Sequence, residues 1–173
     1  KYHLRGKYYK ADYRLFDFIH SLGFPIGKKG PNIIIPQIFY EKDLVKYVIS
    51  GFFSTDGSLV LTKNPNKYYP RLESQAICKL LLKQIYDYFV SLNMQGGFYV
   101  AKSKPDPRWK VVQQKYRIQF NGKNNLLIFN DQIGFSNPKY QSKFTDYLLY
   151  DKEYNNLIKG LAPKRVNLVN KEI

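Results

Sequence analysis

The sequence predicts an α+β fold, and three features of the chain carry that prediction. Residues 43–56 and 77–92 repeat apolar side chains at helical spacing. Residues 71–76 and 109–121 instead alternate polar and apolar side chains, as half-buried strands do. A length of 173 residues with 44% hydrophobic side chains is enough to build one packed core.

The predicted elements follow in the order helix, strand, strand, helix, strand, strand, helix. Asp43 is the expected N-cap of the first helix, and Gly57 is expected to close that helix in the left-handed conformation. Turns rich in glycine, proline and asparagine separate the strands. The predicted bounds, with the last helical region in two pieces, are residues 43–56, 58–63, 71–76, 77–92, 98–103, 109–121, 123–133 and 138–159.

The chain is expected to divide into three parts. Residues 1–40 form a basic N-terminal extension, which includes a short amphipathic helix at residues 12–22. Residues 41–160 form the domain. Residues 161–173 form a basic C-terminal tail.

Positive charge is the strongest global feature of the sequence. The chain has 28 Lys and Arg against 13 Asp and Glu, a formal net charge of +15. Such an excess predicts a polyanionic partner, with nucleic acid as the first candidate. No run approaches the ~20 apolar residues of a membrane span, so no membrane partner is expected.

Cysteine and histidine usage limits the metal and the compartment. Cys78 stands in an apolar helical context, which predicts a buried thiol in a reducing, intracellular compartment: cytoplasm, nucleoid or organelle. With one Cys and two His in the chain, a zinc site is not expected. A bound metal should be a hard cation with oxygen ligands, such as Mg²⁺.

Basic and amide side chains concentrate on the predicted strands. Between residues 98 and 123, seven basic residues stand against one acidic residue, Asp106. Such a face suits DNA, because Lys and Arg contact phosphates and guanine while Gln and Asn contact adenine. Lys28 and Lys29 lie in a basic turn that either contacts phosphate or is only solvated. The candidate DNA contacts are Lys28, Lys29, Lys63, Arg71, Glu73, Gln75, Lys102, Lys104, Arg108, Lys110, Gln113, Lys115, Arg117 and Gln119.

The first predicted helix carries small residues at a spacing that suits close helix packing. Ser50 and Ser54 form one row, and Gly51 and Thr55 form another, with the two members of each row four positions apart. Together with Val48, they are the predicted contacts of a helix pair between two copies of the chain.

Asp56 ends this helix, where a carboxylate meets the negative end of the helix dipole at a cost of up to ~1 kcal/mol. If two such helices pack together, two Asp56 carboxylates converge and repel unless a cation lies between them. The pattern therefore favours a divalent metal ion at the foot of a helix pair. The alternative is that Asp56 and Gly57 form an ordinary polar turn.

The segment ISGFFSTDG resembles the LAGLIDADG motif of homing endonucleases, with Ile49 to Gly57 at its nine positions. Ile49, Ser54 and Thr55 depart from the letters of the motif. A second segment, IGFSNPKYQSKF at residues 133–144, resembles the stretch that follows the last helix of such domains. The resemblance implies an αββαββα fold whose curved antiparallel sheet lies across the DNA major groove.

The same resemblance implies a function. It is that of a site-specific endonuclease, encoded in an intron or intein, which cuts both strands of a long pseudo-palindromic DNA target. One motif copy implies a homodimer. Asp56 of each subunit would ligate Mg²⁺, with the backbone carbonyl of Thr55 assisting. Lys123, at the start of the helix after the fourth strand, and Gln75, at the end of the second, would be catalytic, with Lys79 at the periphery.

Three alternatives remain open from the sequence. A register slip of three residues would put Cys78 in the place of Gln75, which would then read bases. The same scaffold also serves maturases that bind intron RNA and DNA-binding proteins that do not cut. Without the resemblance, a basic α+β RNA-binding protein of ribosomal type would fit the composition; it should lack a helix-pair seam and metal dependence.

Overall fold

In the computed structural model, four antiparallel strands form an open sheet packed against helices. The structure describes residues 13–25, 32–64, 67–101 and 112–160. The predicted tail at residues 161–173 and the first twelve residues lie outside that part of the chain. The elements are α1 (Tyr13–Ser21), α2 (Gln37–Glu41), α3 (Val45–Thr55), β1 (Gly57–Asn64), β2 (Lys67–Ala76), α4 (Lys79–Ser91), β3 (Gly96–Ala101), β4 (Lys115–Asn121), α5 (Lys123–Gln132) and α6 (Pro138–Gly160).

The order from α3 to α5 is the predicted one. The strands lie in the order β1-β2-β4-β3, and every neighbouring pair is antiparallel. The fourth strand begins at Lys115 rather than at residue 109, and residues 112–114 are irregular. Among the described residues, no helix is both long enough and apolar enough to cross a lipid bilayer.

One face of the sheet is buried under helices. Leu59, Leu72 and Phe120 alternate with polar residues along their strands and are almost fully buried, as the period of two predicts. Phe89 of α4 and Phe129 of α5 cover them, and their ring centroids lie 5.7 Å apart. Each such side chain contributes roughly 1.5–3 kcal/mol on burial. The core therefore lies between the sheet and the helices.

The segment before residue 41 contributes in part to this core. Ile35 is 1% exposed. Its backbone N–H donates to Gln84 Oε1 at 2.8 Å, and its carbonyl accepts from Gln84 Nε2 at 3.2 Å. Because Gln84 lies in α4, residues 33–36 form an edge of the folded unit. The helix predicted at residues 12–22 is present as α1, and its apolar side chains are exposed.

The ends of α3 differ from the prediction. Asp43 has a positive φ of 52° and precedes the N-cap, which is Leu44. Gly57 does not take the left-handed conformation and instead begins β1. Glycine is required there for space, because an added Cβ would lie 2.3 Å from the Phe53 ring and 2.7 Å from its Cα. Glycine is needed at position 57 because of this close packing and not because the backbone takes a left-handed conformation there.

A buried polar cluster joins α6 to the start of α5 and to β2. Asp151 is 3% exposed and accepts from Lys123 Nζ at 2.5 Å and from Asn155 Nδ2 at 3.0 Å. Lys67 lies 3.7 Å from its other carboxylate oxygen. One turn earlier on α6, the Tyr147 hydroxyl is buried and has no hydrogen-bond partner among the described residues. This group is called the Asp151 cluster below.

Ionisation of Tyr147 is expected to make the free energy of unfolding depend on pH in the alkaline range. Burial, with a further contribution from Asp151, raises the pKa of Tyr147 from 10.0 to about 12. The unfolded chain therefore ionises this phenol first, and its contribution to stability is lost as pH rises from 10 to 12. Tyr147→Phe should make the loss over that window shallower by about 2–3 kcal/mol, as measured by urea unfolding at several pH values. Parallel losses in the two proteins would contradict this expectation.

Candidate nucleic-acid interface and metal site

The second face of the sheet is open, and its side chains are exposed or half-buried. The register aligns them in rows across the strands. Gln75 pairs with Arg117, which pairs with Tyr99, and Glu73 pairs with Gln119. The open face comprises Ser58, Val60, Thr62, Arg71, Glu73, Gln75, Tyr99, Lys115, Arg117 and Gln119.

The predicted DNA contacts divide into three groups. Arg71, Glu73, Gln75, Lys115, Arg117 and Gln119 lie on the open face. Lys63 shares the alternation of Leu59 and Leu61, so it lies on the opposite side of the sheet. Gln113 precedes β4 and has no place in its alternation. Lys63 and Gln113, which were predicted to contact DNA with the others, are therefore not part of the open face. Lys28, Lys29, Lys102, Lys104, Arg108 and Lys110 lie outside the described residues.

Asp56 stands at the edge of the open face. It caps the C-terminus of α3 and is exposed, and its Oδ2 accepts from Thr55 Oγ1 at 2.8 Å. Ser74 Oγ donates to the Asp56 backbone carbonyl at 2.9 Å, which ties the turn to β2. Since Gly57 pairs with Ser74, Asp56 stands beside Gln75 and extends the row of Gln75 and Arg117. The backbone of Asp56 is thus held in place, while its carboxylate is accessible to solvent.

The structure places Gln75 and Cys78 in different elements. Cys78 lies beyond β2 as the N-cap of α4, where it is buried and its Sγ donates to the Ile33 carbonyl at 2.9 Å. Gln75 is exposed within β2. The strand position beside Asp56 is therefore occupied by Gln75. Lys79 begins α4 and is exposed, with its Nζ 5.9 Å from the ring centroid of Tyr116.

The position of Lys123 relative to Asp56 follows from the strand register. Lys123 begins α5 as predicted, but its ammonium pairs with Asp151. Asn121 pairs with Arg71, whereas Gly57 pairs with Ser74 farther along the same strand, and β1 and β4 flank β2 on opposite sides. At about 3.3 Å per residue and about 4.8 Å between strands, these two strand ends lie about 14 Å apart.

The start of α6 lies against the turn at Asp56 instead. Asn137 Nδ2 donates to the Ser54 carbonyl at 3.0 Å, and Tyr140 Oη donates to the Gly57 carbonyl at 2.7 Å. Lys143 Nζ donates to the Leu59 carbonyl at 2.6 Å. Burial lowers the pKa of Lys143, and neighbouring Lys139 lowers it further. Lys139 and Lys143 thus lie on the helix that packs on the Asp56 turn, and neither is among the site residues predicted from the sequence.

A signal for them was present in the sequence. The segment at residues 133–144 was recognised as a second match to the family, and it contains Lys139 and Lys143. The resemblance placed the catalytic lysine at the start of the helix after the fourth strand, on Lys123. The packing of α6 on the Asp56 turn is a contact between distant parts of the chain, and no local pattern predicts it.

The predicted interface on α3 is only partly available to a second chain. Ser50 is buried, and its Oγ donates to the Gly134 carbonyl of the same chain at 2.9 Å. Its assignment to a dimer interface is therefore wrong. Ser54 and Val48 are half-buried. Gly51 and Thr55 are exposed, and a Cβ added at Gly51 would meet nothing within 4 Å.

The exposed side of α3 forms one stripe. Tyr47, Gly51 and Thr55 follow one another at four-residue spacing, and Tyr47 is 64% exposed. The stripe ends at Asp56. We call it the outward face of α3 below.

A metal ion would find one carboxylate here. In the part of the chain that the structure describes, no three Asp, Glu, His or Cys side chains come together to form a metal site. Asp56 is an oxygen ligand of the type that Mg²⁺ prefers, and its carboxylate makes one side-chain hydrogen bond, to Thr55. It fits a magnesium site only if other oxygens come from a second copy and from a bound phosphate.

Comparisons with known proteins find similarity at the level of structure. No protein-family model matches the chain, and no curated protein sequence matches it. Among solved structures, the chain is similar to the LAGLIDADG homing endonuclease I-GzeII in complex with its DNA target, at 19% identity and a TM-score of 0.40. That similarity covers 66% of this chain and 36% of the neighbour, so this chain spans about a third of the neighbour's length.

Proposed function

We propose that this chain is a homing-type DNA endonuclease that binds a duplex on its open sheet face and hydrolyses phosphodiester bonds at Asp56. The observation that carries the proposal is the position of Asp56. An exposed carboxylate ends α3 at the edge of a polar, basic sheet face, in line with Gln75 and Arg117. The motif resemblance assigns the metal to this same carboxylate.

The central strands support duplex DNA as the ligand. The B-DNA major groove is about 12 Å wide and admits a two-stranded ribbon. The β2–β4 pair is such a ribbon, and it presents guanidinium and amide side chains from both strands. Its groups include donors for phosphate and for the acceptors on base edges. The net charge of +15 supplies the long-range attraction.

Two copies of the chain would complete the site. The outward face of α3 is free of bulky side chains at Gly51 and Thr55, so a second α3 can approach closely there. The approach brings two Asp56 carboxylates together, and Mg²⁺ between them would activate a water and stabilise the leaving oxygen. Gln75 would orient that water. Lys139 and Lys143 would offset negative charge on the phosphate.

Metal-dependent cutting tests the proposal. The protein should cleave a duplex carrying the intronless allele of its host gene in Mg²⁺ and leave it intact in excess EDTA. Binding without metal should persist and weaken with salt, with a log–log slope near one for each phosphate contact. Tight binding with no cleavage in any divalent metal would instead favour a non-cleaving binder. Preference for the intron RNA would favour a maturase.

Dimerisation through α3 can be tested at Gly51. Gly51→Leu places a side chain in open space, so the isolated fold should keep its stability, with a gain of roughly 0.5–1 kcal/mol from helix propensity. The same side chain would obstruct the approach of a second α3. We expect wild type to sediment as a dimer and the variant as a monomer that cuts poorly. A variant that stays dimeric would place the interface elsewhere.

A further inference from the structure

Two arginines lie on the open face, and their surroundings differ. The Nε atoms of both arginines are buried without a hydrogen bond, but Arg71 Nε lies 3.0 Å from Glu73 Oε2, so the charge of Arg71 already has a carboxylate partner. Arg117 makes no hydrogen bond and no ion pair with any described residue, and its Nε is buried. A desolvated donor without a partner costs free energy that an incoming acceptor recovers. Arg117 is therefore the arginine of this face that is poised for a ligand.

Tyr99 restrains the Arg117 side chain. The guanidinium carbon lies 5.7 Å from the ring centroid of Tyr99, the residue paired with Arg117 on the neighbouring strand. Such stacking holds the planar guanidinium in a defined orientation, which reduces the side-chain entropy lost when it binds. Tyr99 is 48% exposed, so its ring is not needed to fill the core.

The ligand that fits this arrangement is guanine. In the major groove guanine presents two acceptors, O6 and N7, which match the two parallel donors of an arginine. An arginine fork also matches a phosphate, but Arg117 lies on the inner strand β4, between Gln75 of β2 and Tyr99 of β3, and this central position on the face favours a base edge in the groove.

We infer that Arg117 reads a guanine in each half of the DNA target and that Tyr99 is its positioning residue. The inference rests on the proposed function, because it requires duplex DNA on the open face. It adds to that function the identity of one recognised base and a role for Tyr99, which is not among the site residues predicted from the sequence. Because each of the two subunits of the proposed dimer carries one Arg117, we expect two such guanines, placed symmetrically about the centre of the target.

Selection of bound duplexes from a library randomised around the target tests the inference with the full chain. Wild type should prefer guanine at one symmetric position. Arg117→Lys and Tyr99→Ala should each reduce that preference, by about 5- to 150-fold for loss of the bidentate contact. Tyr99→Phe, which keeps the ring face, should restore it. Preferences at the other positions should be unchanged.

Lys115 provides a matched control on the same strand. Lys115→Gln should weaken binding to all sequences alike and lower the salt slope by about one if it contacts phosphate. If Arg117→Lys behaves in that way, with the guanine preference intact, Arg117 is a phosphate contact and the inference is wrong. If Tyr99→Ala keeps the full preference, Tyr99 has no positioning role. Absence of duplex binding by wild type would overturn the proposed function and this inference together.

Discussion

Asp56→Asn is expected to abolish DNA cleavage while the protein still binds the same duplex. The substitution keeps the size of the side chain and one acceptor oxygen, so the hydrogen bonds of the turn to Thr55 and Ser74 can persist. It removes the negative charge that would hold Mg²⁺. A metal-assisted step is worth several kcal/mol, and each ~1.4 kcal/mol is tenfold in rate. We expect a loss of about 10³-fold or more.

The measurement is single-turnover cleavage at saturating enzyme, with affinity from a mobility-shift titration in the absence of metal. Asp43→Asn is a matched control, because it removes the same charge before the other end of α3. Asp43 is exposed, and Lys46 lies 3.8 Å away. This control should cut like wild type. Cleavage by Asp56→Asn at the wild-type rate would refute the proposed site.

Lys123→Met is expected to destabilise the fold and to spare the chemistry. The lysine is the nearest cationic partner of Asp151, which is 3% exposed. Removing one partner of a buried pair strands the other charge and costs about 3–5 kcal/mol. Because Lys67 stays 3.7 Å from the same carboxylate, we expect the lower end of that range. Urea unfolding at neutral pH measures the loss.

A double substitution distinguishes a structural role of the Lys123–Asp151 ion pair from a catalytic role of Lys123. Asp151→Leu combined with Lys123→Met removes both charges and should recover most of the stability, since apolar replacement of a buried pair is often neutral. Well below its midpoint of unfolding, Lys123→Met should cleave at the wild-type rate. A variant as stable as wild type that cannot cut would restore Lys123 to the catalytic site.

Lys139 and Lys123 illustrate the limit of reasoning from helix order. The sequence places one lysine at the start of α5 and the other at the start of α6. Local patterns treat both as exposed cations near a helix N-terminus. The structure separates them, because Lys123 is held by a buried carboxylate on α6, whereas Lys139 lies in the turn that packs on residues 54–57.

The order of helices and strands, and the polar alternation along β2 and β4, followed from the sequence alone. Both depend on periods of two and 3.6 residues, which are set locally by the backbone. Contacts between distant parts of the chain decided the rest. Ser50 turned inward because the Gly134 loop packs on α3. The packing of α6 on the turn at Asp56 and the contact of Arg117 with the Tyr99 ring likewise depend on strand register and helix docking, which no local pattern encodes.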